Sequence, residues 1–171
     1  MRKHNGMRPQ DVIILLKIVA MDQKTWQNKD LAAQLFISAS EVTESLNRSI
    51  LAGLIDAHDR KTIYKQSLME FIQFGLHYVF PVPIGGMQNG IYTAHSHPFF
   101  KKHFKNELEY VWPDVKGKVR GLTIEPLYKE MVRAALVDEK LYKMAAILDV
   151  IRIGRVREWT LAVDELKNII G

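Results

Sequence analysis

Apolar residues recur every three or four positions in two long stretches, and the segment between them breaks that rhythm. This spacing puts apolar side chains on one face of a helix. The first stretch begins with a helix from Pro9 to Met21. Pro9 suits a first helical position, Asp11 favours the positive helix end, and Val12, Leu15, Leu16 and Val19 form the apolar face. After a polar connection from Asp22 to Gln27, Asn28 is the expected N-cap of a second helix through Leu31, Ala32 and Leu35. Phe36 to Ser40 forms a turn. A third helix follows, capped by Ser40 or by a Ser38–Glu41 capping box. It turns Val42, Ser45, Leu46 and Ser49 inward and Glu41, Thr43, Glu44, Asn47 and Arg48 outward, and Gly53 stops it. Leu54 to Tyr64 reads as a short hairpin with His58 to Lys61 near its tip, and helical spacing returns from Lys65 to Gly75.

Tyr78 to Pro98 is interrupted by Pro81, Pro83, Gly85, Gly86 and Gly90, so a regular helix is excluded there. Val79, Phe80, Val82, Ile84, Ile91 and Tyr92 make it too apolar for a free linker, which predicts an ordered, irregular loop packed on the body. Val111 to Leu122 suits a short strand or turn. The final fifty residues are helical again. Helices are expected from Pro126 to Val137, from Lys140 to about Ile153 with Asp138 as cap, and from Arg155 to Ile170 after the break at Gly154.

The chain has 171 residues, 47% of them hydrophobic, enough to bury a substantial core. It has no cysteine, which excludes disulfides, thiolate nucleophiles and cysteine-ligated zinc and fits a reducing, cytoplasmic setting. The polar start lacks the apolar core of a signal peptide, and no apolar run approaches the roughly 20 residues of a membrane helix. The net charge of +5 is compatible with nucleic acid, and the excess falls mainly between Lys61 and Arg120.

Gln27 to Ile55 therefore has the order of a helix-turn-helix, whose second helix can enter a DNA major groove. The pattern DLAAQLFISASEVTESLNRSILAGLI resembles winged helix-turn-helix transcription regulators of the MarR and ArsR kind, and residues 9 to 64 follow their order of helices, turn and wing. One departure is Ser49, where a large apolar residue is usual four positions before the glycine. The helix carrying Phe71 is the expected source of a side chain to fill that space. The phrases YVFPVPIGGMQNGIYTAHSHP, VWP, KVRGLTIEPLY and LYKMAAILDVIRIGRVRE are similar to a bacterial set described as MarR-like. That resemblance implies regulators or antitoxins, some paired with a nucleotidyltransferase-type partner.

On this reading Asn47 pairs with an adenine edge and Arg48 with guanine or a phosphate. Ser38, Ser40 and Thr43 donate to phosphates near the helix N-terminus, and Lys29, Arg60 and Lys61 clamp the backbone. Glu41 and Glu44 oppose phosphates unless they accept from cytosine amines or form ion pairs. So few cations per subunit call for a two-fold dimer.

Other motifs have plainer readings. His95, His97 and His103 are metal candidates set against backbone-bonded histidines. The stretch FFKKHFKNELEYVW is read as an amphipathic segment with Phe99, Phe100 and Phe104 inward rather than a single-strand clamp. Gly85-Gly86 is a turn rather than a phosphate loop, and Asn89-Gly90 is a hairpin signal. Arg152, Arg155 and Arg157 with Asp149 and Glu158 suit an interface or a solvated helix end. No enzyme constellation assembles, and no cofactor or metal is expected.

The expected fold is mostly α: a winged helix-turn-helix domain over residues 1–77 with a short β wing, and an ordered loop with a helical extension over 78–171. The expected function is a homodimeric repressor that binds double-stranded DNA. The alternative is an antitoxin or adaptor that neutralises a partner protein through its C-terminal region.

Overall fold

A computed structural model of the chain describes residues 5–22 and 25–171. The extreme N-terminus and part of the polar connection after the first helix lie outside the described residues. The first three helices are α1 (Pro9–Met21), α2 (Asn28–Leu35) and α3 (Ala39–Leu51). An antiparallel bridge between Ile55 and Ile63 closes a minimal hairpin. Then come α4 (Lys65–Phe74) and α5 (Leu76–Val79). The C-terminal part holds α6 (Pro98–Lys101), α7 (Met131–Leu136), α8 (Glu139–Ile153) and α9 (Val156–Ile170).

The segment expected to be irregular holds a strand, β1 (Met87–Tyr92), which pairs with β2 (Tyr110–Pro113) and β3 (Val119–Thr123). β1 runs antiparallel to both, with Gly90 opposite Pro113 on one side and Val119 on the other. β2 and β3 are parallel, Tyr110 facing Leu122, so the three strands close into a small barrel. Gly90 is therefore mid-strand, not in a hairpin turn. A Cβ at Gly90 would lie 2.0 Å from the Trp112 carbonyl oxygen, so only glycine admits this close approach.

α8 is the central element. Its expected inward residues Leu141, Met144, Ala145 and Leu148 are buried, and so are Ala146, Ile147, Val150 and Ile151 on its other sides. Every residue of α1 from Asp11 to Ile18 is likewise buried, not just one face. The reason is that α8 and α9 cover the side of α1 left open by α2 and α3. One hydrophobic cluster joins Leu15, Leu31 and Leu46 to Trp112, Leu148 and Leu166. The boundary expected between residues 77 and 78 thus does not coincide with a gap in packing. The helix expected from Pro126 shortens to α7, while Asp138 caps α8 as expected, accepting from the Leu141 amide at 3.0 Å.

Asp149 and Arg152, expected at a surface, are instead buried within α8. Asp149 accepts from the Thr93 hydroxyl and the Trp112 indole, each at 2.7 Å, and from Arg152 Nη1 at 3.0 Å. Arg152 also donates to the carbonyls of Phe80 at 2.9 Å and Glu125 at 3.2 Å. The Asp149 carboxyl is held above its ordinary value, because full burial outweighs the pull of Arg152, Thr93 and Trp112. Among the described residues, no helix is long and apolar enough to cross a membrane.

Asp149→Ala would strand three buried donors. Urea denaturation is expected to show a loss of about 3–5 kcal/mol, the usual cost of removing one partner of a buried charge pair. A loss below about 1 kcal/mol would contradict this role.

Candidate nucleic-acid interface

The N-terminus of α3 is set by the Ser38–Glu41 capping box rather than by Ser40. The Ser38 hydroxyl accepts from the Glu41 amide at 3.1 Å, and the Glu41 carboxylate accepts from the Ser38 amide at 3.0 Å. Val42, Ser45, Leu46 and Ser49 point inward as their spacing predicts. Ser49 meets Met7, its hydroxyl 3.9 Å from the Met7 sulfur. A bulky side chain at this position comes from the segment before α1.

The outward side of α3 carries exposed Ser40, Glu41, Glu44 and Asn47, with Leu51 exposed at its C-terminal end. Arg48 is not among them. Its guanidinium is buried and grips Asp11 of α1 with two bonds, Nε at 2.8 Å and Nη2 at 2.7 Å. The Asp11 bond holds Arg48 above its ordinary value, against its burial. The same carboxylate accepts from the Arg8 amide at 2.8 Å and caps α1. A planar fork matched to a buried carboxylate is a structural clamp, so Arg48 does not read bases.

Two hydroxyls are also committed. Ser38 is held by its cap. Thr43 donates to the Ala39 carbonyl and accepts from the Asn28 amide, both at 3.0 Å, tying α2 to α3. Asn28 is accordingly the first residue of α2 and not its cap. Gln27 takes the cap position, and its amide donates to Asp30 at 2.7 Å.

Lys29 is exposed on α2, and Arg60 is exposed on the hairpin. The Lys61 ammonium lies over the Trp26 ring, 5.3 Å from its centre. Asp56 shapes the hairpin, accepting from the Asp59 amide and Tyr64 hydroxyl at 2.7 Å and from the His58 amide at 2.8 Å. These bonds hold its carboxyl down to about 2. Arg8, to which the sequence pattern assigns no role, shares a shallow cleft with Ser40, Glu41 and Glu44. Its place as the residue before α1 is the signal that would have found it, because the start of α1 is tied to α3 through Asp11.

Of the three candidate histidines, His97 takes the plainer, backbone-bonded form, whereas His95 Nδ1 has no hydrogen-bond partner. His97 is buried edge-on to Tyr142, and its Nδ1 accepts from the Phe99 amide at 3.2 Å. Burial lowers it to about 4. His103 stacks beside Phe99. Among the described residues, no three histidine or carboxylate side chains are grouped to hold a metal ion. Of the three phenylalanines expected inward, Phe100 is fully buried and Phe99 and Phe104 pack partly against the core.

Comparison with family models, curated proteins and solved structures finds no match. The assignment of this surface therefore rests on its own chemistry.

Arg48→Ala and Asp11→Ala are each expected to cost about 3–5 kcal/mol of folding stability. The double substitution should cost clearly less than their sum, because each single change strands the other charge. Additive losses in denaturant titrations would show that the pair is not coupled.

Proposed function

We propose that the chain is a dimeric, winged helix-turn-helix regulator that lays α3 in the major groove of double-stranded DNA. The observation carrying this reading is the uncovered side of α3. Ser40, Glu44 and Asn47 are exposed, while Arg48 and Thr43 tie the helix to α1 and α2. Asn47 presents an amide suited to an adenine edge, and Glu44 an acceptor suited to a cytosine amine. Lys29 and Arg60 flank the helix as phosphate contacts, the hairpin serves as the wing, and Lys61 and Ser40 add to the backbone set. With so few cations per subunit, two-fold pairing doubles the phosphate contacts and gives a repressor its operator symmetry.

A second reading, an adaptor or antitoxin that binds a partner protein, is favoured by a separate patch. Phe74, Tyr78 and Val79 are 64%, 80% and 52% exposed along α4 and α5. Exposed apolar groups this close mark an interaction surface. The same patch can serve the dimer. A monomer in light scattering at DNA-saturating concentrations would remove the dimer and leave the adaptor.

Titration of the purified chain against the DNA upstream of its own coding sequence tests the main reading. Asn47→Ala is expected to lose about 1–3 kcal/mol and relax preference at one base pair. Lys29→Ala should weaken binding to all sequences alike and reduce the salt slope by about 0.9 for each phosphate it no longer neutralises. A wild-type chain that prefers no sequence over random duplex would end the assignment.

A further inference from the structure

The thirty residues from Phe71 to Phe100 contain no aspartate, glutamate, lysine or arginine, in a chain that is 25% charged. Part of this run is core, and burial explains its composition there. From Phe74 to Asn89, however, most positions are exposed, where charge is the default. Phe74, Tyr78 and Val79 are 64%, 80% and 52% exposed along α4 and α5, and Ile84 and Met87 are 47% and 45% exposed further on. Depletion of charge with enrichment in aromatics and methionine marks the core of a protein–protein interface.

The fold does not need these side chains inside. α4 turns Leu68, Met69 and Ile72 into the core, and α5 turns in Leu76. The face is nevertheless held in place. His77 Nδ1 donates to the Arg152 carbonyl, which ties α5 to the end of α8. The His77 ring packs edge-on against Tyr78, their centres 5.2 Å apart. An exposed aromatic fixed in this way is pre-organised as an interface anchor.

We propose that this face joins two copies of the chain about a two-fold axis. The pairing rests on the reading of the chain as a dimeric regulator and gives that dimer its interface. A stable pair buries about 800 Å² on each copy, a little over half of it apolar. The five exposed side chains offer on the order of 500 Å² between them, which matches that share. Tyr78 to Met87 reaches at most about 30 Å, so the five fit within one patch of that size. Across a two-fold axis a patch meets itself, so any charge would face its like. Each copy carries +5, and a charge-free face is where two copies meet without repulsion. A partner of different sequence would bring charges that nothing on this face can pair. Gln66 and Glu70, bonded to each other at 3.1 Å in the turns of α4 before Phe74, begin the polar rim.

Sedimentation equilibrium of the full-length chain without DNA tests the interface. The wild-type chain should be a dimer at micromolar concentration. Tyr78→Glu, with an unchanged circular dichroism spectrum, should pair roughly thirtyfold more weakly or worse. Val115→Glu, at a 96% exposed position of the β2–β3 turn, should remain a dimer. Hydroxyl-radical footprinting of the wild-type chain needs no variant: Phe74 and Tyr78 should gain protection as concentration rises, in step with the mass. A wild-type monomer up to about 100 μM, a Tyr78→Glu dimer as tight as wild type, or unprotected Phe74 and Tyr78 in the dimer would overturn the proposal. A wild-type chain that pairs through this face yet prefers no duplex sequence would uphold the interface and end the DNA reading alone.

Discussion

The structure turns on one buried carboxylate. Asp149 lies on a helix enclosed on all sides, where an ionised group needs every lone pair engaged. Its partners come from far apart in the chain: Thr93 after β1, Trp112 in β2 and Arg152 one turn along α8. Arg152 then bonds Phe80 and Glu125, the residues where the chain enters and leaves the barrel segment. A single ion pair thus holds both ends and the middle of the whole barrel excursion to the central helix. A small barrel of short strands has little core of its own, so this polar anchoring is what fixes its place.

The anchoring continues toward α3. Just beyond Glu125, the Tyr128 hydroxyl donates to the Leu35 carbonyl at 3.0 Å and so satisfies the end of α2. The Arg133 guanidinium covers the Phe36 ring at 4.1 Å. Phe36 holds φ at +55°, a left-handed conformation costly for an aromatic residue, and these contacts from the C-terminal half stabilise it. The Asp11–Arg48 clamp and the Asn28–Thr43 bond complete the fixing of α3 from behind. A helix held this firmly on one side and left open on the other is pre-organised to meet a partner, because little ordering remains for the binding step.

Much of this was legible in the sequence where the signal is local. The period of Val42, Ser45, Leu46 and Ser49 placed the inner side of α3, Ser38 and Glu41 announced its cap, and Asp138 and Gly154 bounded α8. What escaped was non-local. Arg48 shares the helical stripe of Glu41 and Glu44, and only its pairing with Asp11, 37 residues away, turns it inward. Asp149 and Arg152 look solvated in a one-dimensional pattern, because charge defaults to water unless a partner is known. β1 was hidden by its own glycine, which reads as a turn and serves as the point where two neighbouring strands press close.

The outward side of α3 is acidic at its start and has few cations near it, so the proposed reading requires two symmetric copies and a small set of base contacts. Footprinting of the untagged chain across its own genome should reveal discrete protected sites with a shared two-fold sequence, the half-sites about one helical turn apart. Uniform or absent protection would contradict the claim that α3 reads DNA.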